Sequence, residues 1–309
     1  MRVASMSPTP QLLPTEEWPE LSYEAGRDTL ATVHMCLQVI GKVRLALSPR
    51  EPQWSNVPLS LTARGLTTSP MWNGRTGLEI DVDFTDHQVE VATTHGRLER
   101  IPLTSRPVAD FYQELMARLR DLDIQVHIWP TPVEVPDPIP FPQDRRHASY
   151  DPGWAHQFWL VLSRIDLVMK EYRARFRGRT SSVQLFWGSC DLANTRFSGR
   201  PAEPPPGADL VTRLSADAEL LSAGFWPGDS RLSVPAFYAY AYPKPNGLED
   251  ESVRPAEASW NPELGEFVLP YEVVRRSGDP RRTLLEFLES TYQAGASRLD
   301  WDPALVSSD

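Results

Sequence analysis

Residues 129–142 read WPTPVEVPDPIPFP, a run with six prolines, and no other stretch constrains the chain so tightly. Each proline lacks an N–H donor, so the run cannot continue a helix or sit in the middle of a sheet. It predicts an extended polyproline-like strap, semi-rigid at ~3.1 Å per residue. Its apolar members predict a strap lying on protein, with Trp129, Ile139 and Phe141 buried. The chain is thereby divided into a tail at 1–22, a first half at 23–129, the strap at 130–152, a second half at 153–300 and a tail at 301–309. A second proline-rich stretch, GRPAEPPPGAD at 199–209, reads as a solvent loop.

The two halves carry similar patterns. Leu30, Val33, Leu37, Ile40, Val43 and Leu47 fall at helical spacing and predict a helix over 28–48. Phe158, Leu162, Ile165, Met169, Tyr172 and Phe176 do the same for 154–177. Strand patterns follow at 57–75 and 183–200, and with one residue dropped they align Val57 on Val183, Leu59 on Leu185, Leu66 on Leu192 and Gly74-Arg75 on Gly199-Arg200. Each half then closes on a helix; the second of these begins with Asp279 as N-cap and Pro280 in the first turn. The fold class expected is α+β, with two similar α-β-β-β-α halves, largely antiparallel sheets and the strap between them.

Composition narrows the partners. Hydrophobic residues are 41% and charged residues 23% of the 309, enough for a real core. A net charge of -10 repels polyanions, so neither nucleic acid nor an anionic membrane surface is expected as a partner. Apolar runs such as FWLVL fall far short of the ~20 residues of a membrane helix, and the first twenty residues do not read as a signal peptide. The two cysteines, Cys36 and Cys190, sit in apolar segments and read as free buried thiols of a cytoplasmic protein.

The stretch FWGSCDLANTRFSGR at 186–200 asks why an aromatic strand ends in hydrogen-bonding groups. One reading makes it a buried polar network in which Asp191 and Arg196 neutralise each other beside Ser189, Asn194 and Thr195. The other makes it a binding cleft, with Arg196 and Arg200 holding an anionic group by their guanidinium forks. FYAYAYPKP places Tyr238, Tyr240 and Tyr242 on one strand face by period two. Such a row lines a pocket with flat walls and polar tips, or packs under a helix. The candidate cleft therefore joins Trp187, Ser189, Asn194, Arg196 and Arg200 to the three tyrosines and to Arg64 and Arg75 of the first half. A catalytic version uses Asp191 or His147 in acid–base chemistry on a small anionic metabolite. A non-catalytic version binds a metabolite or peptide, and a third has the network stabilise a homodimer.

Other motifs carry less. WGSCD lacks the last glycine of the hydrolase elbow, and buried cysteines are usually inert. There is no Cys-x-x-Cys, no His-Glu-x-x-His and no calcium loop, so no metal site is expected and no cofactor is indicated. Glu79, Asp81 and Asp83 alternate with Ile80, Val82 and Phe84, which reads as a strand with one solvated face. The arginines of RARFRGR at 173–179 suit a helix C-terminus.

At GKVRLALSP, RGLTTSP, FWGSCDLANTRFSGR, SAGFWPG and FYAYAYPKP the chain resembles the bacterial domain-of-unknown-function family 5996, over nearly its whole length. Cys190 stands where that pattern has an aromatic, which speaks against a catalytic Cys190. PQWS replaces an Asn-His-Trp-Trp run, which speaks against a metal site near Trp54. The resemblance implies a soluble bacterial protein and supplies no activity.

Overall fold

The structure, a computed structural model, describes residues 18–306; the greater part of the N-terminal tail expected at 1–22 lies outside the described residues. Helix α1 (Tyr23–Leu47) starts ahead of its apolar periodicity because Ser22 caps it, accepting from the Ala25 N–H at 3.2 Å. Six strands follow: β1 (Ser60–Leu61), β2 (Gly65–Thr67), β3 (Met71–Asn73), β4 (Thr76–Asp83), β5 (Gln88–Thr93) and β6 (Leu98–Pro102). They are followed by α2 (Val108–Asp121). The second half opens with α3 (Pro152–Ala174), where Asp151 accepts from the N–H groups of Gly153 and Trp154. Then come β7 (Gln184–Phe186), β8 (Asp191–Pro201), α4 (Leu210–Ser215), β9 (Ala218–Trp226), β10 (Ala236–Tyr242), β11 (Ser259–Asn261), β12 (Glu266–Pro270), α5 (Tyr271–Arg276) and α6 (Pro280–Arg298).

The class is α+β, with two antiparallel sheets of six strands. Their orders correspond over five strands from the shared edge outward, while β3 and β11 have no counterpart. The first runs β1-β2-β4-β5-β6, with β3 also on β4, and the second runs β7-β8-β9-β10-β12-β11. Three strands per half were expected. In the first half the extra strands are short pieces of two or three residues, below what a periodic pattern resolves; in the second, β7 and β11 are three residues each, and the nine-residue β9 was missed. Pro70 in the segment between β2 and β3 lacks the N–H that a continuous ladder needs.

The sheets meet at one point. Leu59 and Leu185, matched by the sequence alignment, bond each other, N–H to carbonyl in both directions at 2.8 Å. Around this pair the Trp187 Nε1 donates to the Val57 carbonyl at 2.8 Å, and the Trp187 ring fills the space a Cβ on Gly41 would need. Helices α1 and α3 pack on each other, α2 on α1 and α6 on α3, and together they cover one face of the sheets. Ile80, Val82, Phe84, Phe225 and Phe237 point into that layer and are buried.

Helix α1 is long and apolar enough to cross a membrane, a property the short apolar runs did not suggest. Two-thirds of its apolar window (67%) is buried inside the protein, as in a core helix. At the other end, residues 301–306 pack on the body: Trp301 is buried and the Arg177 N–H donates to the Leu305 carbonyl at 2.7 Å.

The proline run is not an extended strap. The Phe141 N–H donates to the Pro130 carbonyl at 2.8 Å, so residues 130–141 close into a loop whose ends meet. Phe141 is fully buried and Ile139 half-buried, but Trp129, just outside the loop's base, is 71% exposed. Inside the loop, Gln38 of α1 acts as a surrogate strand. Its amide accepts from the Val133 N–H at 2.9 Å and donates to the Val133 carbonyl at 2.7 Å. Gln38 is fully buried, so losing it strands buried backbone groups. Gln38→Ala should cost about 2–3 kcal/mol in urea unfolding and speed hydrogen exchange at the Val133 amide; unchanged exchange there would refute the clamp.

Candidate functional site

Strand β7 ends in Trp187-Gly188-Ser189-Cys190, and Cys190 takes a left-handed φ of 59° that swings the chain into β8. From there the period of two sorts the polar residues. Leu192, Asn194 and Arg196 face the helices, while Asp191, Ala193 and Thr195 face outward, where Thr195 pairs with Ser222 and Gly224 with Tyr238. Asp191 and Arg196, five positions apart, therefore lie on opposite faces. The mutual ion pair expected from the sequence does not form.

Arg196 is fully buried under the helices. Its guanidinium carbon lies 3.4 Å from the Tyr172 ring centroid, 4.5 Å from Tyr292 and 5.0 Å from Phe176. Nη2 donates to the Tyr172 carbonyl at 2.5 Å, and Nη1 is 3.8 Å from Glu289. Nε and Nη1 have no hydrogen-bond acceptor, so the aromatic faces and Glu289 compensate the charge. Asn194 on the same side donates to the Ser181 carbonyl at 2.8 Å and holds the segment before β7.

The outer face gathers different chemistry. The Tyr238 hydroxyl donates to Asp191 Oδ2, and the phenol end of the ring occupies the space beside Gly224, where an added Cβ would come within 2.5 Å of that hydroxyl. Tyr238 and Tyr240 stack with centroids 6.2 Å apart and planes 17° apart. Thr195 and Ser222 share a hydroxyl bond of 3.0 Å. Tyr242, at the far end of the row, donates to the Glu203 carbonyl at 2.6 Å. The loop adds a second carboxylate: Ser189 Oγ donates to Glu134, which occupies the space a side chain on Gly188 would need.

Burial pushes the Asp191 carboxyl up to about 7, and the Glu134 charge adds to that against the Tyr238 hydrogen bond. Burial likewise pushes Glu266 of β12 up to about 7, with the charge of Asp191 adding to it and Arg231 opposing. Tyr240 is raised to about 12 by burial and then by Glu266, and Tyr238 is raised well above its ordinary value by burial and Asp191. Both phenols stay protonated donors. Two carboxyls that exchange protons near neutrality beside two hydroxyls can both give and take a proton.

The other expected residues are dispersed. Trp187 is buried at the sheet junction. His147 Nδ1 is 2.7 Å from the fully buried Asp144, and it makes no bond to Asp191. Arg64 bonds Asp83 at 2.5 Å and Asp86 at 2.6 Å on the first sheet. Arg200 is 2.7 Å from Glu219, and Arg75 is exposed at the β3–β4 turn. The cleft of arginines and tyrosines proposed from the sequence is thus not assembled; the tyrosines meet carboxyls instead. The residues missed were Glu134, Glu266 and Gly224. Only the parity of Glu266 ahead of the apolar FVL run of β12 carried a signal.

Two small cavities hold about 20 Å³ beneath α1 and about 10 Å³ beneath β10, far below the ~300 Å³ at which ligand pockets begin. Among the described residues no group of three histidine, cysteine or acidic side chains is placed to hold a metal ion.

Two outcomes follow. Arg196→Ala should cost about 3–5 kcal/mol in urea unfolding, because it empties the aromatic cage and leaves Glu289 with Arg175 as its remaining cation. Arg196→Met should recover most of that loss; equal losses would show that the charge, not the volume, matters. A carboxyl raised in the folded state from an unfolded value near 4 favours folding while protonated. For Asp191 that contribution is full below about pH 4, falls as pH rises and is gone above about 7. Asp191→Asn should flatten the decline by up to about 1.4 kcal/mol per pH unit across that window, read from urea midpoints against pH; parallel profiles would contradict it.

A search of curated proteins found no match, and neither did a search of solved structures. Residues 18–308, nearly the whole chain, match the family of unknown function DUF5996, and the chain belongs to that family.

Proposed function

We propose that the protein binds a small amine on the outer face of the second sheet and exchanges a proton with it through Asp191 and Glu266. The observation that carries this reading is the Asp191 carboxyl, bonded by Tyr238 and raised to about 7 beside the Tyr238–Tyr240 stack. Tyrosine rings offer flat walls with polar tips, and carboxyls beside them suit a cation. An anionic metabolite, the partner expected from the sequence, would need a guanidinium on this face. Arg231 does reach this face, over the Trp226 ring, but it is paired with Asp229 at 2.9 Å; Arg196 is enclosed on the other face and Arg200 is paired with Glu219, so the charge balance favours the amine. Two free buried thiols support a reducing, cytoplasmic setting, and the family resemblance a bacterial one.

Native mass spectrometry against a panel of small amines, carboxylates and neutral sugars tests the ligand class. An amine should bind, and Asp191→Asn and Tyr238→Phe should each weaken it about tenfold or more, the loss of one charge-assisted hydrogen bond. Selective binding of carboxylates, or amine binding unchanged in both variants, would overturn the proposal.

A further inference from the structure

The chain has three lysines among its 31 lysines and arginines. Two are conventionally paired: Lys170 Nζ is 2.5 Å from Asp166, and Lys244 Nζ is 2.7 Å from Glu249. Lys42 is neither paired nor exposed. It is 5% exposed within α1, and its amine faces the Trp187 indole, 5.8 Å from the ring centroid. Among the described residues no carboxylate or hydrogen-bond acceptor reaches it.

Its surroundings explain the isolation. His34, Gln38 and Lys42 recur at steps of four and form one polar line on α1. His34 Nε2 lies 2.9 Å from the Gly188 carbonyl, and Gln38 donates to the same carbonyl at 3.2 Å. That acceptor is therefore already shared before the line reaches Lys42. Trp187 is fixed by its bond to the Val57 carbonyl and by its fit against Gly41, so the indole cannot turn aside to admit one.

A cation buried without a counter-charge gives up its proton more readily. Burial is the one cause lowering the Lys42 pKa; no charged group of α1, the 51–59 segment, β7 or the turn after it acts on the amine. The indole face returns part of the cost to the ammonium form. A neutral lysine amine in a desolvated site is a nucleophile for carbonyl carbon.

We propose that Lys42 is a nucleophilic amine that condenses with a short-chain aldehyde. The Nζ lone pair forms the new C–N bond and the carbonyl π bond opens to a hydroxyl. The carbinolamine then loses that hydroxyl, and both amine hydrogens leave with the oxygen as water, giving a neutral imine. The low exposure restricts the partner to a small aldehyde, and the indole face supplies a flat apolar wall for it. The inference is independent of the outer face of the second sheet.

The chain carries its own controls. The whole protein is incubated with acetaldehyde and cyanoborohydride near neutral pH, and the three lysines are followed by peptide mass spectrometry at short times. Lys42 should be alkylated about tenfold or more faster than Lys170 and Lys244, with a rate that levels off at lower pH than theirs. Lys42→Arg should abolish the fast site and leave the two slow ones unchanged. Labelling of Lys42 at or below the rate of the other two, including simple protection by burial, overturns the proposal.

Discussion

Two six-stranded sheets are held edge to edge by a single reciprocal pair of backbone hydrogen bonds, Leu59 to Leu185, with Gln184 Nε2 donating to Ser60 Oγ at 3.2 Å beside it. One such pair is a weak joint by itself, since an intramolecular hydrogen bond contributes only about 1 kcal/mol net. The joint is instead secured from above. Trp187 ties the first-half segment to β7 and is pressed into α1 at Gly41, and α1 packs on α3 across the same line. The turn that leaves this joint carries Gly188, Ser189 and Asp191 directly onto the outer face. The geometry of that face is therefore set by how the two halves meet.

The sequence disclosed the larger pattern for physical reasons. Apolar spacing in α1 and α3, the alternation of β4 and the cap at Asp279 are local signals, and the structure contains each of them, except that Asp83, expected on the solvated face of β4, is buried and bonded by Arg64. The matching of Leu59 with Leu185 was legible too, although nothing in the pattern said that the two would bond each other. The proline run was legible as an interruption but not as a closed loop, because its closure rests on the bond between Pro130 and Phe141, and its anchoring on Gln38, far away in sequence.

The polar stretch after Trp187 was misread at one step. Proximity in sequence suggested that Asp191 and Arg196 neutralise each other, whereas strand parity sends them to opposite faces. Each then meets residues from distant segments: Asp191 meets Tyr238, and Arg196 meets Tyr172 and Tyr292. The two faces of β8 thus solve opposite electrostatic problems. The helix side shelters a cation among aromatic rings; the outer side crowds carboxyls and relieves them by keeping protons.

The closed loop has a consequence for variation within a fold of this kind. Because Pro130 and Phe141 are already joined, the residues between them can change in length without moving the two halves apart. Glu134, at the loop's inner end, overhangs the turn beside Asp191. A chain of this architecture can exchange the roof over its outer face while the tyrosine floor and the sheet junction stay as they are.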